Sequence, residues 1–178
     1  MRFRLKFTSG AVSSALLLTA CQTGAPSSRQ PAPRPPSGVG GAALPPADYV
    51  ATAASIDLFI VKASELALDR SGNYQIRALA SNLSEGHRGL AGQLSFAGRR
   101  VDVLPSARLL PREEERLSLL QTGQPFDTTF LRQMILTHEQ SLTLHANFAA
   151  RGSSPTLRPV AASAERVERA HLEELRRQ

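Results

Sequence analysis

The sequence predicts an all-α fold, an antiparallel bundle of four long helices with a short extra helix between the second and third. Three observations predict it. From Asp48 onward, apolar residues recur at alternating spacings of three and four, the pattern of helices that each bury one face. Turn and capping residues cut that pattern into long segments, and no run alternates with the period of two that a half-buried strand needs. The patterned stretch spans about 130 residues, enough for a proper core.

The first helix carries the stripe Tyr49, Ala53, Ile56, Ile60, Ala63 and Ala67, and Ser71-Gly72-Asn73 supplies its stop and the next cap. The second shows Ile76, Leu79, Leu83, Leu90, Leu94 and Ala97 and is expected to end at Gly98. A connection over residues 99–110 leads to a short helix over residues 111–121. Pro111 suits its first position, and Glu113, Glu114 and Glu115 form a solvated start that suits the positive helix end. The third long helix begins near Pro125 and runs through Leu131, Met134, Leu142 and Ala149 to Gly152. Ser154-Pro155 reads as a cap and first-turn proline for the fourth, with Leu157, Val160, Ala164, Val167, Leu172 and Leu175 on one face.

Residues 1–20 have the order of a secretory signal: Arg2, Arg4 and Lys6, then an apolar stretch over residues 11–18, then the small residues Thr19 and Ala20. The apolar stretch is too short for a spanning helix, which takes about 20 residues. Cys21 is the only cysteine, so no disulfide can form within the chain. Leu18-Thr19-Ala20-Cys21 resembles a bacterial lipobox, which implies cleavage before Cys21 and a covalent lipid on its thiol. Gln22, in place of an aspartate, points to an outer membrane with the protein facing the periplasm. Residues 21–47 form the lipidated Cys and a Pro/Gly/Ser-rich tether, with Pro31, Pro33, Pro35, Pro36, Pro45 and Pro46. Residues 48–178 form the bundle domain.

The formal charge of +6 comes mostly from the leader and the tether. From Asp48 onward 16 Lys and Arg face 15 Asp and Glu, and the chain has no Trp. No basic stripe with interleaved aromatics is present, which excludes nucleic-acid binding as the main role. The partner the sequence does imply is the membrane, through the lipid anchor.

The histidines fall on the apolar stripes. His87 lies four after Leu83 and three before Leu90. His138 lies four after Met134 and four before Leu142, and His171 four after Val167 and four before Leu175. His145 follows His138 by seven, on the same face. Two readings stand. In one, His87, His138 and His171 are ligands of a mononuclear transition-metal site in the bundle core, since imidazole suits Cu, Zn, Fe and Ni. In the other, they are core histidines satisfied by neighbouring carbonyls. A di-iron centre of the Glu-x-x-His type is not matched: Ser84 and Ile135 stand three residues before His87 and His138, and only Glu168 before His171 fits. Missing carboxylates favour the structural reading. Depth is a further condition, because His171 lies near the end of its helix and is expected about one turn off the level of the other two.

Several stretches resemble the exported ferritin-like family known as domain of unknown function 4142, over residues 48–177. They are Asp57-Leu58-Phe59 with Ser64-Glu65-Leu66-Ala67-Leu68, then Ala80-x-x-Leu-x-x-x-His87, then Gly123-x-x-Phe126-Asp127-x-x-Phe130. His138, Ala149-x-x-Gly152 and His171-Leu172 complete the series. The resemblance implies a ferritin-like four-helix fold and a bacterial envelope location, and it implies no reaction. Similar sequences carry Glu where this chain has Ile60 and Asp where it has Gly86, so the acidic partners on the first two helices do not match.

No catalytic residue is assigned. The chain has no nucleophile elbow, no phosphate-cradling glycine loop and no Cys-x-x-Cys pair. The expected function is that of a non-catalytic, lipid-anchored envelope protein, with transition-metal binding through the core-facing histidines as the alternative.

Overall fold

The computed structural model describes residues 44–178. The segments expected to be a signal peptide and a tether, with Cys21 between them, lie outside the described residues as far as residue 43. Five helices follow in order: α1 (Pro46–Arg70), α2 (Tyr74–Arg99), α3 (Pro111–Thr122), α4 (Phe126–Arg151) and α5 (Arg158–Leu175). Among the described residues there is no strand, and no helix is long and apolar enough to cross a membrane.

The helix ends follow from local chemistry. Pro46 opens α1 with its φ already set for a helix. Asn73 caps α2 by accepting the Gln75 N–H at 2.9 Å. The start of α5 differs from expectation. Residues 155–157 form a turn, held by the Ser154 carbonyl and hydroxyl, and regular helix begins only at Arg158. Pro159 is the cause: in a helix begun at Pro155 its ring would clash with the carbonyl four residues back, whereas in the first turn it costs nothing.

Contacts fix the topology. Tyr49, at the start of α1, stacks on Phe148 near the end of α4, while Arg70, at the end of α1, lies over Phe126 at the start of α4. α1 and α4 are therefore antiparallel, as are the two hairpins α1–α2 and α4–α5, and α2 runs parallel to α4. A parallel pair needs a connection along the length of the bundle, and residues 100–125 provide it. α3 lies in that connection against α1 and α4: Arg116 donates to Thr137 Oγ1 at 2.8 Å, and Arg70 donates to the Leu120 carbonyl at 2.9 Å. Glu113, expected in solvent, is buried; it accepts from Ser55 Oγ at 3.2 Å, and that hydroxyl accepts the Leu110 N–H.

The interior has two apolar clusters. One gathers Ile60, Leu79, Leu83, Phe130, Met134 and Leu175; the other gathers Tyr49, Val50, Leu94, Phe148, Leu157 and Ala161. Between them lies a buried polar layer of Asp57, His87, His138, Ser141, His145 and Glu168. α4 is rotated from its expected phase for this reason. Leu131, Leu142 and Ala149 are only half-buried, and the inner face is Phe130, Met134, Thr137, His138, Ser141, His145 and Phe148.

Candidate metal centre

The two hairpins bring the donors to one level. Asp57 stands 13 residues before the end of α1 and His87 13 after the start of α2; His138 stands 13 before the end of α4 and His171 13 after the start of α5. Equal distances from a hairpin turn place residues side by side. The delayed start of α5 is what brings His171 level with His138, against the expected offset of a turn. The ring centroids of His87, His138 and His171 are 5.2, 5.3 and 5.6 Å apart. One nitrogen of each lies within 4.8 Å of the other two.

Hydrogen bonds orient two of these rings. His138 Nδ1 lies 2.7 Å from the Met134 carbonyl and must donate to it, so Nε2 carries the lone pair. His87 Nδ1 lies 2.8 Å from Asp57 Oδ1. If that nitrogen donates to the carboxylate, His87 Nε2 also carries a lone pair, and the two Nε2 atoms face each other at 3.3 Å. An outer carbonyl or carboxylate that fixes the ring and its tautomer is the usual support of a metal-ligating histidine. Two nitrogens each about 2.0 Å from one ion lie 3.3 Å apart at a near-tetrahedral angle.

The carboxylates are present after all. Asp57 comes from α1, one turn before Ile60, where the family resemblance placed an acidic residue. Its motif was visible in the sequence, but only its equal offset with His87 points to the contact. Glu168 on α5 is fully buried, accepts from Ser141 Oγ at 2.6 Å through Oε1, and places Oε2 3.9 Å from His138 Nε2. Burial drives Asp57 well above the carboxylate range and Glu168 up to about 8, Ser141 opposing and Asp57 adding to the latter. Burial also pushes His87 down to about 3, with His171 contributing, and His138 well down, with His87 contributing. Each of these shifts favours the neutral form of its group in the closed core. His171 Nδ1, His145 Nε2 and Glu168 Oε2 are buried with no hydrogen-bond partner among the described residues.

Space for His171 comes from Gly86. A Cβ at that position would stand 2.6 Å from His171 Cε1 and 2.9 Å from Nε2, so any larger residue must displace the ring. A cleft of about 280 Å³, lined by Leu58, Val61, Arg88 and Pro105 among others, reaches Asp57 from outside.

Fold and site together define a helical bundle with an imidazole and carboxylate cluster in its core. The chain belongs to the family described as a domain of unknown function, DUF4142, which matches residues 32–177. No curated protein matches it. Among solved structures the chain is similar to a DUF305 fragment from Deinococcus radiodurans, at 18% identity and a TM-score of 0.65, covering 75% of this chain and 95% of that one. It is also similar to CopM in its Cu(II)-bound form, at 16% identity and a TM-score of 0.64, covering 76% and 95%. The Cu(I)-bound form of CopM gives 17% identity and a TM-score of 0.63 over 75% and 94%. At these identities the likeness is one of fold.

Proposed function

We propose that the protein is a lipid-anchored envelope protein whose bundle binds a divalent transition-metal ion through His87, His138 and His171. The observation that carries the metal reading is the pair of Nε2 atoms 3.3 Å apart on rings whose Nδ1 atoms are already engaged. A single proton shared along Asp57, His87 and His138 would also separate those lone pairs, and would make the histidines purely structural. That proton leaves His171 Nδ1 and Glu168 Oε2 buried without partners. Ligation by three imidazoles gives one nitrogen of each ring a partner and sets Glu168 Oε2 beside the ion. Neutral imidazoles suit Cu, Zn and Ni, and the order of divalent affinities puts Cu(II) first. The fold likeness to a protein solved with copper bound supports that choice.

The Leu18-Thr19-Ala20-Cys21 stretch supports a thioether-linked lipid on Cys21, and Gln22 supports an outer-membrane location facing the periplasm. The single long crossover between α2 and α4 supports the ferritin-like reading of the bundle. The role that fits is storage or buffering of ions in the envelope.

The test is retention of metal by the purified full chain. After loading with Cu(II) or Zn(II) and exhaustive dialysis, elemental analysis should find bound metal in the native chain and its loss in His87→Ala and His138→Ala. Gly86→Ala keeps every ligand but displaces His171, and should weaken binding about 10- to 100-fold with the helical circular dichroism unchanged. A native chain that dialyses free of metal leaves the shared-proton reading in its place.

A further inference from the structure

The furrow between α1 and α4 is filled by α3 along only part of its length. Glu113, at the start of α3, stands against Ser55, and the Leu120 carbonyl near its end accepts from Arg70. Beyond the start of α3 the furrow stays open as a groove of about 640 Å³, running along α4 from Leu136 to Arg151. α4 rises about 22 Å over that stretch, the length of a helix of about four turns. Leu44, Ile56, Leu136 and Leu144 form the apolar floor, and Leu136 is 43% exposed. Two guanidinium groups flank it. Arg112 donates to Gln140 Oε1 at 3.3 Å, and Arg151 donates to Asn147 Oδ1 at 2.8 Å. An amide orients a guanidinium but leaves its charge whole, and neither arginine has a carboxylate within ion-pair distance among the described residues. Glu139, the carboxylate that lines the groove, is engaged by Arg176 at 2.8 Å. Gln140 and Asn147 stand seven residues apart on one face of α4, which sets them and the guanidinium groups they hold about 10 Å apart.

We propose that this groove docks an amphipathic helix of a partner protein, laid in line with α3. Two acidic side chains seven residues apart on that helix meet Arg112 and Arg151, and the apolar residues between them pack on Leu136 and Leu144. Charge complementarity selects the acidic groups. The backbone selects the helix. α1 and α4 satisfy their own N–H and C=O groups, so an extended chain would find no ladder in the furrow, whereas a helix brings its own hydrogen bonds, as α3 does. A second copy of this chain does not supply the occupant, because no two of its acidic residues stand seven apart. The groove uses none of the imidazole donors and is independent of the metal reading.

The probe is a fluorescein-labelled helical peptide of Ala, Leu and Gln, with two Glu residues seven apart and Leu residues between them. Titrated with the full chain at low ionic strength and followed by fluorescence anisotropy, it should bind. The same peptide with Gln in place of both Glu residues should bind roughly 10-fold more weakly. Arg112→Ala combined with Arg151→Ala should give the same loss for the Glu peptide, and Leu136→Asp should abolish its binding. All three side chains are exposed, so these variants should keep the circular dichroism of the native chain. Equal binding of the Glu and Gln peptides overturns the proposal, as does equal binding of a Glu peptide broken by proline. Failure of the Glu peptide to bind at about 1 mM also overturns it. Binding of phosphatidylglycerol vesicles in place of the peptide, lost in the double arginine variant, would assign the groove to a lipid surface and overturn the helix.

Discussion

Two carboxyl groups, Asp57 and Glu168, sit in the bundle interior among imidazoles, and their protonation sets how the metal-free domain responds to pH. Glu168 is raised by burial from 4.5 to about 8, so the folded state favours its protonated form. That contribution is fully present below pH 4.5 and is lost as the pH rises through about 8. His87 and His145 are lowered from 6.5 to about 3, so what they contribute is present above pH 6.5 and is lost as the pH falls toward 3. Between pH 6.5 and 8 the carboxyl groups act alone, and the metal-free chain should lose thermal stability as the pH rises. Glu168→Gln should flatten much of that slope, leaving the part due to Asp57. Melting curves in chelator at three pH values check this, and parallel slopes in the two proteins would exclude it. At this scale the sequence was half informative. The three imidazoles could be read from their places on apolar stripes, and the structure brings them together. Asp57 could not, because its own stripe position looks like a surface residue beside Ile56 and Ile60 until the partner helix is placed.

At the scale of elements, the helices and most of their ends were legible, since proline, glycine and asparagine act locally. Two features were not. The first is the start of α5, where the Ser154-Pro155 signal is overruled by Pro159 four residues on. The second is the phase of α4. Hydrophobicity marks a helix face only when that face is apolar along its whole length, and the inner face of α4 carries Thr137, His138, Ser141 and His145 in its middle. The leucines on its flanks pulled the expected stripe round by about one position. The difference is measurable. Leu83 is fully buried in the larger apolar cluster, and Leu83→Ala should cost about 2–5 kcal/mol of stability in chemical denaturation. Leu142 is half-buried, and Leu142→Ala should cost less than half as much. Equal losses would mean that α4 faces the core through its leucines after all.

For the molecule as a whole, the polar layer lies between two apolar clusters that hold the ends of the bundle. Each cluster on its own is small, and in the layer joining them His171 Nδ1, His145 Nε2 and Glu168 Oε2 have no hydrogen-bond partner among the described residues. A ligand present at 100 times its dissociation constant adds about 2.7 kcal/mol to the folded state. The whole-molecule arrangement was the least legible part of the sequence, because the level at which donors meet depends on turn lengths counted across two hairpins. Its consequence reaches the lifetime of the chain in a cell. Proteases cut opened molecules, and changes of about 1–2 kcal/mol alter the abundance of a protein several-fold. If the bundle binds an ion as proposed, unloaded chains open more often and are cleared first, and the amount of protein then follows the metal supply with no change in synthesis. Pulse-chase labelling in copper- or zinc-replete medium should show a half-life several-fold longer than in chelated medium, and His138→Ala should have the short half-life in both. Equal half-lives for the native chain would show that the divided core does not depend on a bound ion for its stability.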